Sequence, residues 1–183
     1  MIEQSTNVSR DVSNPPATSP LVDRERISRW TKGVWTGLIA GTVLLGAQMF
    51  LAVEAGSGTV WNPIRLSASI ALGSQAIAAS APFTFGILAI GVLVHFLISI
   101  WYAVVLGLFI RRLKYGMALL VGAGFGLLLY FVHFYGLTSM YPWVVNARGW
   151  IPVISHLAFG MSAAWVYSHL HMRELARSIG PVA

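Results

Sequence analysis

The chain has no cysteine, which excludes disulfides, thiolate metal sites and a cysteine nucleophile together. Charge is nearly as scarce: 10% of the 183 residues are charged and only 6 are acidic, against roughly 25% charged residues in soluble domains. Four stretches carry no Lys, Arg, Asp or Glu at all, between Lys32 and Glu54, Arg65 and Arg111, Lys114 and Arg148, and Arg148 and Arg173. What fills them is apolar. Hydrophobic residues make up 56% of the chain and the mean hydropathy is +0.71. Such a composition excludes an ordinary soluble domain, and the bilayer is expected to be the solvent.

Each uncharged stretch is long enough to hold the roughly 20 apolar residues that cross about 30 Å of hydrocarbon as a helix. The sequence predicts spans at about 33–54, 84–110, 116–139 and 151–170. These segments are apolar on every side instead of alternating, and a closed barrel needs more strands than the chain can supply. The expected fold is therefore all-α, a polytopic membrane four-helix bundle. The first apolar stretch starts only at Gly33 and outruns the h-region of a leader peptide, so it reads as a span and not as a cleaved signal.

Ten of the 12 basic residues sit in three places: the N-terminal segment to Lys32, the loop Arg111, Arg112, Lys114, and the C-terminal Arg173 and Arg177. Only Arg65 and Arg148 occupy the other two loops. The excess of basic residues on cytoplasmic segments places both termini in the cytoplasm of a multi-pass protein of the inner (plasma) membrane. The formal charge of +6 follows from this asymmetry and suits anionic lipid heads, so the lipid bilayer is the expected partner and nucleic acid is not. Residues 1–29, rich in Ser, Asn and Pro, are expected to be a disordered cytoplasmic tail. Residues 30–172 then form the membrane domain and 173–183 a short cytoplasmic tail.

Between spans one and two, residues 61–81 are mostly Ala, Ser, Ile and Leu, with Leu66, Ile70 and Ile77 near the helical period. This predicts an amphipathic helix on the outer surface or dipping slightly into it, started by Asn62-Pro63 and stopped by Pro82. Gly37 and Gly41, and again Gly122 and Gly126, form G-x-x-x-G pairs that let helix backbones approach, within the chain or between copies. The run Gly122-Ala123-Gly124-Phe125-Gly126 lacks the preceding strand and nearby acid of a dinucleotide loop. Trp30, Trp35, Trp61, Trp143 and Trp150 fall where amphipathic rings meet the headgroups.

Few polar residues lie inside the spans. His95, His133 and His156 occur one each in spans two, three and four, with Gln48 and Glu54 in span one. At about 1.5 Å per residue the histidines fall roughly 8–15 Å from the outer ends of their helices, so they share an outer-leaflet layer. Ser99 and Tyr102 follow His95 along one stripe, and Tyr130 precedes His133 by three. Ionisable groups at such depth are functional candidates because lipid makes them costly. The residue types admit a haem between two imidazoles with Arg65 or Arg148 near the propionates, or a divalent metal on the three histidines and Glu54. They also admit a proton or solute path, or local hydrogen bonds that fix helix register. The last is the expectation, with no cofactor. His169 and His171, beside Arg173, read as interfacial residues. No Ser/His/Asp set, paired carboxylates or metalloprotease motif can be assembled, so an enzyme is not expected.

Span three and the loop after it carry a resemblance. The string Tyr130-Phe131-Val132-His133-Phe134-Tyr135-Gly136-Leu137-Thr138, followed by Tyr141-Pro142-Trp143, Ala147-Arg148-Gly149-Trp150 and Ser155-His156-Leu157-Ala158-Phe159-Gly160, resembles a group of uncharacterised bacterial four-helix inner-membrane proteins, and Trp61-Asn62-Pro63-Ile64-Arg65 has a counterpart there. Some members carry an automatic "sodium:proline symporter" label, and a more distant likeness is to YagU-type inner-membrane proteins. The likeness spans about residues 33–170 and implies a four-helix membrane protein without an assigned activity. Relatives often have asparagine where this chain has His133. Sodium symporters are built from inverted repeats of several helices each, more than four spans supply. The expected role is therefore helix packing with copies of itself or with a membrane partner. The alternatives are an oligomeric solute or proton conductor and a haem- or metal-binding module using His95, His133 and His156.

Overall fold

A computed structural model describes residues 20–56, 59–78 and 80–179 of the chain. Five α-helices account for most of them: α1 Pro20–Glu54, α2 Asn62–Leu72, α3 Phe85–Ile110, α4 Tyr115–Phe131 and α5 Trp150–Ile179. Short 3-10 turns lie at Ser74–Ile77 and Pro142–Ala147, and a π-turn, Val132–Gly136, extends α4. Among the described residues there is no strand.

Three helices are long and apolar enough to cross a membrane: the Trp30–Glu54 part of α1, α3 as Phe85–Ile110, and α4 with its π-turn as Tyr115–Gly136. They lie where the sequence puts spans one to three. Local signals set their ends. The Thr84 hydroxyl accepts a hydrogen bond from the Ile87 amide at 3.3 Å and caps α3. Pro63 occupies the first turn of α2, where its missing N–H is harmless.

Two expected boundaries move. The helix already begins at Pro20, so ten residues assigned to a disordered tail are helical, and α5 runs past residue 173 to Ile179. From residue 21 to Gly33 no glycine or proline interrupts the chain, and helix propagates easily from a long nucleus already formed. Residues 1–19 and 180–183 lie outside the described residues.

Packing runs antiparallel, α1 against α3 and α5, and α5 against α4. A Cβ at Gly33 would collide with Val104, one at Gly37 with the Ile100 backbone, and one at Gly41 would stand 2.9 Å from Ser99. On the other side Gly122 and Gly126 abut the backbone of Gly160 and His156. Both G-x-x-x-G pairs are therefore used inside the chain, where close backbone approach replaces the hydrophobic drive that lipid removes. A cluster around Ala40, Leu106, Phe159, Ala163 and Tyr167 fills the centre. Large apolar side chains point outward instead, among them Trp35, Phe50, Leu97, Trp101, Leu120 and Trp165.

The α3–α4 turn and the far ends of α1 and α5 meet at one end of the bundle, the short-loop end. There Lys32, almost fully buried, pairs with Glu174, lies 3.5 Å from Nδ1 of His171 and sits over the Tyr167 ring. Burial, and secondarily the Lys32 charge, hold His171 below the usual imidazole range, with Glu174 opposing.

The amphipathic helix expected between spans one and two is present as α2, with one face seated on the other helices and Asn62, Ile70, Ala71 and Leu72 exposed. It starts at Asn62 as predicted but stops at Gly73, whose φ of 80° suits glycine, and not at Pro82. Ile64, Ala68 and Ser69 are buried. Gly91 of α3 leaves room for the Ile64 carbonyl, which a side chain there would strike. Leu66 packs on the opposite side against the group of Tyr130, Phe134 and Val144. Thus α2 packs along α3 and touches α1 at the long-loop end, with Leu66 reaching toward the far end of α4. Arg65 pins the loop between α2 and α3, donating from Nη1 to the Ala76 carbonyl at 3.0 Å and from Nη2 to Ala81 at 2.9 Å.

Candidate functional site

Beside α2 lies a space with mostly apolar walls and a few polar groups. A cavity of about 100 Å³ is lined by Gln48 of α1, Ser67 of α2, His95, Ser99 and Tyr102 of α3, His133 of the π-turn and His156 of α5. Leu129 and Phe159 also line it, and both belong to the close-packed central cluster, which closes it toward the short-loop end. Toward the long-loop end lies a wider vestibule of about 460 Å³, whose walls include Asn62, Arg65, Trp143, Asn146, Arg148 and Trp150. Gln48, Pro63, Leu66 and Phe134 line both spaces, so the vestibule stands directly over the cavity.

Hydrogen bonds order the cavity. Nδ1 of His156 lies 2.7 Å from the Pro152 carbonyl. A carbonyl only accepts, so Nδ1 carries the proton, and in a neutral ring Nε2 is then the acceptor. His133 Nδ1, 3.2 Å away, donates to that Nε2. The Tyr102 hydroxyl in turn donates to His133 Nε2 at 3.0 Å. One carbonyl thereby sets both tautomers and the direction of a row from α3 through α4 to α5. His95 stands beside this row and donates from Nε2 to the Gly41 carbonyl at 2.9 Å, a reach that depends on glycine bringing α1 close to α3.

The π-turn positions His133. The Leu137 amide bonds to the Val132 carbonyl at 2.9 Å, five residues back, so one extra residue enters the turn. Phe134 is buried there while His133 meets both Tyr102 and His156. Such turns recur at functional sites because they re-aim a side chain.

Of the candidate residues taken from the sequence, His95, Ser99, His133 and His156 come together around one cavity. Glu54 does not join them: it is the last residue of α1, exposed, and lines neither space. Among the described residues no group of three His, Asp or Glu is placed to hold a metal ion. The metal site of three histidines and Glu54 is therefore not formed, because His133 and His156 spend their facing nitrogens on each other. Trp143, expected among the interfacial rings, donates its indole N–H to the buried Ser69 hydroxyl at 2.9 Å and ties the long loop to α2.

Sequence reasoning missed Tyr102 as a partner of His133, the Pro152 carbonyl that sets the tautomers, and the joint vestibule of Arg65 and Arg148. Tyr102 was within reach, seven residues from His95 on one helical stripe. Scans of protein-family models, of curated proteins and of solved structures find no match to the chain.

Proposed function

We propose that this chain is a four-span membrane protein that binds a small polar molecule in the cavity between its helices, with entry from the long-loop end. In this reading α5 is the fourth span. It packs along α1 and α4, and Trp150, Ile154, Met161 and Trp165 give it an apolar outer face. The basic residues at the short-loop end support cytoplasmic termini and a place in the inner (plasma) membrane. The kinship with bacterial four-helix inner-membrane proteins belongs to the same proposal and rests on the motifs of span three and its loop.

The observation that carries the binding reading is the Tyr102–His133–His156 row lining a cavity that shares the wall residues Gln48, Pro63, Leu66 and Phe134 with the vestibule beside it. Polar side chains that only fixed helix register would need no space beside them, and a site that combines apolar walls with a few convergent polar groups is what a bound small molecule requires. Packing with copies of the chain, the role favoured by the glycine pairs, loses its basis once those glycines are spent inside the chain.

Accessibility tests the proposal. Ser99 lies in the cavity and is nearly buried, and the native chain has no competing thiol. Ser99→Cys in lipid nanodiscs should react with a small water-soluble thiol reagent, and a thiol that reacts only after unfolding would refute the binding cavity.

A further inference from the structure

We propose that the vestibule is an anion site, in which Arg65 and Arg148 hold a carboxylate or phosphate group at the mouth of the cavity. This rests on the binding reading above and names the chemistry of what enters.

Both guanidinium groups are fixed by contacts that consume little of their donor capacity. Arg148 donates from Nε to the Phe134 carbonyl at 2.8 Å, and its guanidinium carbon lies 4.0 Å from the centre of the Tyr135 ring. Its two terminal nitrogens carry four N–H groups beyond that bond. Arg65 donates one N–H from each terminal nitrogen to a loop carbonyl and sits over the Phe83 ring at 5.4 Å. Arg148 held this way presents a planar fork suited to two oxygens of one anion, and Arg65 keeps its Nε–H and one N–H on each terminal nitrogen as further donors.

The charges are also unbalanced. No Asp or Glu lines the vestibule or the cavity, and the ion pair found among the described residues, Lys32–Glu174, lies at the opposite end. Two like charges in a cleft walled by Phe134, Trp143 and Trp150 repel each other and focus a positive field outward. An oxyanion relieves that repulsion, and a water molecule or neutral solute does not. Gln48 and Asn62 supply neutral donors around it. The shared chemistry of a small soluble acid and a lipid headgroup satisfies this site equally.

Gln48→Cys, on the wall common to both spaces, reports the field. In phosphatidylcholine nanodiscs it should react at least about tenfold faster with a negatively charged methanethiosulfonate than with a positively charged one, the scale of enrichment in a cleft of one sign. Arg148→Gln should abolish most of that preference, and Arg65→Gln, which also releases two loop carbonyls, should do so where it folds. Inorganic phosphate or acetate that slows the reaction identifies a soluble anion. Slowing only when phosphatidylglycerol replaces part of the lipid identifies a headgroup. Equal rates for the two reagents, or a preference that none of these anions reduces, overturn the anion site while a reactive Ser99→Cys leaves the cavity standing.

Discussion

Tyr102, His133 and His156 gain their order from one backbone carbonyl. Because Pro152 can only accept, His156 must donate from Nδ1, and each ring in turn is left with a single consistent role. The three side chains are therefore unequal in what their loss leaves behind. Tyr102→Phe removes the terminal donor and leaves His133 Nε2 an acceptor beside the cavity, where water can replace the hydroxyl. It should cost roughly 0.6–1 kcal/mol, the scale of intramembrane hydrogen bonds. His156→Leu removes the acceptor of the row and leaves the part-buried His133 N–H without its partner, so its cost should be larger, roughly 1–3 kcal/mol for an unsatisfied donor. Circular dichroism during denaturation in mild detergent measures both. A His156→Leu protein as stable as Tyr102→Phe would contradict the assigned direction of the row.

At the scale of elements, two features make the site: the π-turn that re-aims His133 and the short helix α2, which is seated on α3 and lines the cavity with Pro63, Leu66, Ser67 and Ile70. The glycines do the opposite work and close the remaining interfaces. Gly122 and Gly160 touch backbone to backbone, so Gly122→Ile should cost about 1–3 kcal/mol or more by overpacking and lower the folded yield. Size-exclusion chromatography of the fraction that does fold should show the wild-type oligomeric state, because this face lies inside one chain. A folded variant with altered assembly would return the glycines to an interface between copies. Much of this was legible in the sequence. Charge-free length located the membrane-crossing parts of α1, α3 and α4 within a few residues, and G-x-x-x-G spacing marked two packing faces, although Gly160, four residues before Ala164, carried the same small-residue signal unread. The π-turn was not legible, since Val132–Gly136 has the same apolar and aromatic composition as the helix before it. The burial of α2 was hidden too, because what seats it is Gly91, on another helix, and no local period in 61–81 records that.

For the whole molecule, the bundle is polarised. The short-loop end gathers the basic residues and the half-buried Lys32–Glu174 pair, the centre is close-packed and apolar, and the long-loop end opens into a vestibule with two arginines. The sequence carried the polarity as a distribution of charge but not the depth of the cavity, because Arg65 and Arg148 lie 83 positions apart in the chain and are joined only by the fold. How α5 lies is decisive for this picture. It is not among the three helices long and apolar enough to count as spans by composition, and it carries His169, His171, Arg173 and Glu174 toward its end. If it crosses the membrane, Met172 must emerge on the same side as Lys114, opposite Asn146. If it lay along the surface instead, Met172 would share the side of Asn146. Single cysteines at the three positions, in a chain with none of its own, separate these cases with an impermeant thiol reagent in sealed vesicles. Lys114→Cys and Met172→Cys should react only from the cytoplasmic face and Asn146→Cys only from the other. Met172 is well exposed, so its failure to label from outside is not a matter of burial. Labelling of Met172→Cys together with Asn146→Cys would remove the fourth span, and with it the closed wall that His156 gives the cavity.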